Sequence, residues 1–116
     1  MLTLKHKELE VYKHSQKLVE LIYKVTQKFP SEEKFGLTQQ LRRAAISILS
    51  NIAEGSSRLS SNERRRFYEI SRGSLIEIDT QLDISYSLNY IPNEYVIPLK
   101  ESVILTFKLL SGMIKR

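Results

Sequence analysis

The sequence predicts an all-α protein, an up-down-up-down antiparallel four-helix bundle filling residues 1–116 as one domain. Three observations predict it. Apolar residues recur at three- and four-residue steps along four separate stretches, as they must if one face of each helix is buried. Three breaks divide these stretches: Pro30 to Gly36, Gly55 to Ser61, and the neighbourhood of Pro92. With four glycines and three prolines in 116 residues the chain holds few other breakers, and its length suits one continuous core.

The first helix is expected over about 7–29, with Val11, Ser15, Leu18, Ile22, Val25 or Thr26, and Phe29 as its buried seam. Pro30 ends it, because proline lacks the amide proton that a continuing helix needs. The second helix is expected over 37–57, where Leu37, Leu41, Ala44, Ala45, Ile48 and Ile52 share a face. Gly55 and the serines that follow mark its end. The third, over 61–90, starts at Ser60-Ser61-Asn62-Glu63, which fits a capping box in which Ser60 accepts from the Glu63 amide and Glu63 reaches back. Phe67, Ser71, Ser74, Leu75, Ile78, Leu82 and Ser85 form its inner face, the serines bonding back to the preceding turn, and Pro92 closes it. The fourth is expected over 94–115 with Val96, Leu99, Val103, Phe107, Leu110 and Ile114 inward. Pro98 implies either a start nearer Ile97 or a kink.

This last helix is apolar nearly all round. Ile97, Ile104, Leu105 and Leu109 lie off its core face, and Ile46, Leu49 and Ala53 flank the core stripe of the second helix. A solitary bundle needs about one apolar stripe per helix, so these seven residues are the expected contact between copies of the chain.

The second helix also carries an unusual polar stripe. Arg43, Ser47, Asn51, Glu54 and Arg58 recur at steps of four, four, three and four. In one reading this stripe faces a ligand or nucleic acid. In the favoured one, Arg43, Ser47, Asn51 and Glu54 are partly buried between helices or subunits, with Glu77 of the third helix as the salt partner of Arg43, since a buried arginine needs a carboxylate and hydrogen bonds.

The stretch LTQQLRRAAISILSNIAEGSSR (37–58), preceded by KFPSEEKFG and followed by GSLIE at 73–77, resembles the signature of the four-helix-bundle proteins encoded within intervening sequences of bacterial 23S ribosomal RNA genes. Those proteins are similar to the accessory variability proteins of diversity-generating retroelements. The resemblance spans about Leu9 to Ile114, and NIAEG is its most specific block. It implies an up-down bundle that assembles as a homopentamer, and it implies little about activity.

The net charge of +5 is unevenly placed. Between Gly36 and Leu75 stand seven arginines and three glutamates, and no lysine or aspartate. Arginine is favoured where planar, bidentate contacts to carboxylate or phosphate are made. Arg58, Arg64, Arg65, Arg66 and Arg72 surround the loop and first turns of the third helix, with Tyr68 among them, and 58, 65 and 72 are expected to form one basic ridge. That ridge is the candidate nucleic-acid-binding surface, and a ring of five copies would repeat it. The competing reading is a set of ion pairs within and between subunits, or a basic face that docks an acidic protein or, as the retroelement resemblance implies, a polymerase or reverse transcriptase.

Reactive constellations are missing. His6 and His14 are eight residues apart, too far for a metal pair on adjacent turns. The glycines are isolated, no serine adjoins a histidine in a nucleophile elbow, and Asp79 with Asp83 reads as surface ion pairing with Arg65 and Arg72. Zero cysteines excludes thiol chemistry and disulfides. The expectation is therefore a non-enzyme with no cofactor, metal or small-molecule substrate. No 18-residue apolar run is present and MLTLKHKELEVYKHS lacks the apolar core of a secretion signal, so a cytoplasmic protein away from membranes is expected.

Overall fold

The computed structural model describes residues 1–115. Among them it is all-α: a 3₁₀ turn at Lys5–Glu8, then α1 (Glu10–Thr26), a second 3₁₀ turn at Ser31–Glu33, α2 (Leu37–Ser56), α3 (Ser61–Ser87) and α4 (Asn93–Lys115). Each helix packs on its neighbour in the chain, α4 closes the ring against α1, and the diagonal pairs stay apart. One core runs down the middle of a body measuring 43 × 27 × 20 Å.

The first helix is shorter than the seam suggests. Leu9 is extended (φ −66°, ψ 138°), which separates the N-terminal turn from α1. At the other end the Lys28 and Phe29 amides bond the Val25 and Thr26 carbonyls at 3.0 and 3.1 Å, three-residue steps that unwind the helix before Pro30. Phe29 still enters the core and meets the Tyr90 ring, centroids 5.5 Å apart.

The entry to α2 is held by Glu33. Its Oε1 accepts from the Leu37 amide and its Oε2 from the Tyr90 hydroxyl, both at 3.1 Å, so one carboxylate joins the start of α2 to the α3–α4 connection. Partial burial first, and then Glu33, hold the Tyr90 phenol above its ordinary range. Gly36 leaves the room: a Cβ there would stand 2.6 Å from Glu33 Oε1.

The Ser60 hydroxyl accepts from the Glu63 amide at 3.3 Å and starts α3, but among the described residues the reciprocal bond from the Ser60 amide to the Glu63 carboxylate is not formed, so half of the capping box is present. The end differs from expectation. Pro92 does not close this helix; Asn89 does, in the left-handed region at φ 62°. The Tyr90 amide bonds the Ser85 carbonyl and the Asn89 amide the Tyr86 carbonyl, each at 3.0 Å, which is a Schellman motif with asparagine in the position glycine usually takes. In α4 the helix starts at Asn93 and runs through Pro98. Its buried face is Leu99, Val103, Thr106 and Leu110, so Thr106 takes the inward place assigned above to Phe107, which is 40% exposed.

The α2–α3 pair is the most closely joined, and its contact is small and polar. A Cβ on Gly55 would stand 2.9 Å from Phe67 Cβ and 3.0 Å from Tyr68 Cε1. Ser71 does not bond back along its own helix; its hydroxyl crosses to the Ile48 carbonyl at 2.7 Å. Ser74 meets Ser47 at 3.0 Å, Ser56 meets the Tyr68 hydroxyl at 2.9 Å, and Gln81 meets Gln40 at 3.3 Å. These bonds pair most of the polar groups buried at the contact, although Gln81 Oε1 is left without a hydrogen bond.

Candidate nucleic-acid interface

The candidate surface lies at the pole where α2 ends, α3 begins and α4 finishes. The chain turns there in four residues, Ser57 to Ser60, because the Ser57 and Arg58 amides bond the Glu54 and Gly55 carbonyls at 3.1 Å and Ser60 caps the next helix. So short a link brings Arg58 close to the arginines of the first turn of α3.

Those arginines do different things. Arg58 lies over the Phe67 ring, 4.9 Å from its centroid, and pairs with Glu54 at 3.3 Å. Arg64 donates to the Arg58 and Leu59 carbonyls at 2.9 and 2.7 Å, pinning the turn. Arg72 reaches α4, donating to Ser111 at 3.3 Å with its guanidinium 5.9 Å from the Phe107 ring. Arg65 and Arg66 are exposed and, among the described residues, have no hydrogen bond or ion pair.

The expected single ridge through 58, 65 and 72 does not form. Arg65 and Arg72 are seven residues apart and share the α4 side of α3. Phe67, over which Arg58 lies, is two residues and about 200° from Arg65. The arginines therefore fan around the pole. Tyr68 is not part of the surface either; it is buried, its hydroxyl spent on Ser56.

The polar stripe of α2 also divides. Asn51 bonds within α2, donating to the Ser47 carbonyl at 2.8 Å and to its hydroxyl at 3.1 Å, and Ser47 alone crosses to α3 through Ser74. Glu54 turns to Arg58. The expected Arg43–Glu77 pair is absent: Arg43 is exposed without a partner among the described residues, and Glu77 accepts from Gln81 at 3.2 Å. The committed arginine is its neighbour. Arg42 donates to Thr26 Oγ1 at 2.9 Å and to the Tyr23 carbonyl at 3.4 Å, with its guanidinium 4.5 Å from the Tyr23 ring, and so ties α2 to α1. The 100° between adjacent helical residues separates these two fates.

Of the residues expected between copies, Ile46, Ile97, Ile104 and Leu105 are exposed, whereas Leu49, Ala53 and Leu109 are half-buried. The folded N-terminus adds what spacing did not reveal. Lys5 and His6 line, with Arg64, Tyr68, Ala53 and Ser57, an open cleft of about 770 Å³. No helical period links Lys5 to Arg64, so only the fold brings them together. No group of three or more His, Asp or Glu residues gathers at metal-ligand distance among the described residues, and no helix there is long and apolar enough to cross a membrane.

The sequence model of the 23S rRNA-intervening sequence protein family matches residues 7–112. The chain belongs to this family. The matched span contains all four helices but for the last residues of α4. The fold is also that of a crystal structure of a protein with unknown function from the S23 ribosomal protein family of Bacteroides thetaiotaomicron, with a TM-score of 0.82 at 23% identity over 91% of this chain and 96% of that one. Among curated proteins, none matches the chain.

Proposed function

We propose that this family member is a non-enzymatic, self-associating helical protein of the cytoplasm. In this reading it binds RNA or DNA weakly and without strong sequence preference through Arg64, Arg65 and Arg66. The observation that carries the reading is the pair Arg65 and Arg66: two exposed guanidinium groups with no anion of their own, beside a third held rigid by loop carbonyls. A cluster of exposed cations attracts phosphate through released counterions, which gives affinity with little sequence information. Arg58 contributes less charge, being paired with Glu54, and Arg72 contributes from the side of α3. Repetition of the pole in a homopentamer, the assembly that the family resemblance implies, supplies the strength one weak site lacks.

Fluorescence anisotropy with unrelated single- and double-stranded RNAs tests this. Similar affinities across sequences are expected, falling as salt rises. Changing Arg64, Arg65 and Arg66 to Ala together should reduce the slope of log affinity against log salt by about 2 to 3. Binding indifferent to salt and to the triple change would refute the reading. A second reading is favoured by the cleft beside Arg64, whose lining includes Leu4, Leu9 and Ala53: docking of an acidic protein partner. One dominant protein captured from a nuclease-treated extract, and lost with the triple change, would select it.

A further inference from the structure

Two surfaces of the molecule face in opposite directions and complement each other. Between α3 and α4 run two adjoining depressions of about 460 and 280 Å³ that share Asp79, Val103 and Ile104. Ile76, Tyr86, Ile104 and Phe107 stand around them, 52%, 59%, 47% and 40% exposed, an apolar perimeter that a solitary soluble chain has no reason to keep. Asp79 and Asp83 line the α3 wall, Lys100 and Lys108 the α4 wall.

Across the bundle, α2 presents a slender ridge. Arg42 turns to α1 and Ser47 to α3, which leaves Arg43, Ile46 and Ser50 pointing away from the core, with Ala53 at its edge. Ile46 and Ala53 stand at i and i+7 on this ridge, a spacing at which a helix lays apolar anchors into a groove. Charge agrees with shape. From Gly36 to Ala53 the only charged residues are Arg42 and Arg43. The groove is divided in charge: its α3 wall carries Asp79 and Asp83 and its α4 wall Lys100 and Lys108, so the α3 wall alone matches Arg43. Arg42 is committed to α1, whereas Arg43, Asp79 and Asp83 have no ion pair among the described residues. Because α2 and α4 are diagonal, the ridge cannot reach the groove of its own chain.

We propose that the groove between α3 and α4 receives the α2 ridge of a second copy, Ile46 entering beside Ile104 and Arg43 meeting Asp79 and Asp83. The contact joins two different surfaces, so every copy offers one of each to its neighbours. Such a head-to-tail contact closes into a ring when its rotation allows. The inference rests on the self-association proposed above and adds its geometry.

Light scattering on charge-reversed variants tests it, with circular dichroism to establish that each is folded; all three positions are exposed. Arg43→Glu should abolish assembly, and Asp79→Arg with Asp83→Arg should do the same. Joining all three changes in one chain should restore a mass well above 13.5 kDa. A monomeric wild type would overturn both the assembly and this docking. An assembled wild type whose single-surface variants keep its mass would overturn the docking alone, as would a combined variant that stays monomeric.

Discussion

Gly55 shows how much of the framework hangs on single atoms. It lies in the last turn of α2, where its lack of a side chain lets α3 approach to van der Waals distance of the backbone. Alanine there would gain about 1 kcal/mol of helix propensity, but its Cβ would press on Phe67 Cβ at 2.9 Å, an atom fixed to the α3 backbone. Overpacking of that kind costs about 1–3 kcal/mol, so Gly55→Ala should lower stability despite its better propensity. Chemical denaturation should show a lower midpoint at unchanged slope; an equal or higher midpoint would mean that the two helices are not pressed together there. This glycine is readable from sequence only as a helix end, since nothing local marks what it touches. The same limit separates Arg42 from Arg43 and hides Tyr68. A tyrosine among arginines reads as surface until a serine twelve residues earlier is found to receive its hydroxyl.

At the level of elements, apolar spacing carries most of the information where one face alone is buried. Every seam residue of α1 is buried, and in α2 only Leu37 remains half-exposed. It carries less in α4, where apolar residues surround the helix: Leu99, Val103 and Leu110 are buried as expected, but Thr106 is buried in place of Phe107. Termini set by backbone conformation are also hidden. The helix α3 stops at Ser87 because Asn89 adopts φ 62°, a state that asparagine tolerates and that few other side chains do. Asn89→Gly should therefore leave stability unchanged or raise it, while Asn89→Ala should cost about 1 kcal/mol. Thermal unfolding of both variants checks this, and a penalty for glycine as large as that for alanine would show that the asparagine side chain, not the backbone state, holds the cap.

At the level of the whole molecule, charge is sorted by place. The pole holds arginines on a short, rigid turn, the first half of α2 is basic only, and the second half of α3 is acidic only. The four-helix framework and the basic character of residues 36–75 are legible in the sequence. The division of the arginines into those that brace the fold and those that remain open is not, because it depends on which helix each one faces. Assembly and polyanion binding are linked in this account: the docking of α2 into the α3–α4 groove multiplies the pole, and multiplication supplies affinity.

The variant carrying Asp79→Arg and Asp83→Arg separates that link from simple charge. It leaves Arg64, Arg65 and Arg66 untouched and raises the net charge from +5 by four units, yet removes the groove's acidic wall. Measured by anisotropy at fixed salt, its affinity for RNA should fall by about tenfold or more relative to wild type, as expected when avidity is lost. Affinity equal to or tighter than wild type would contradict the account, because binding would then follow total charge and owe nothing to assembly.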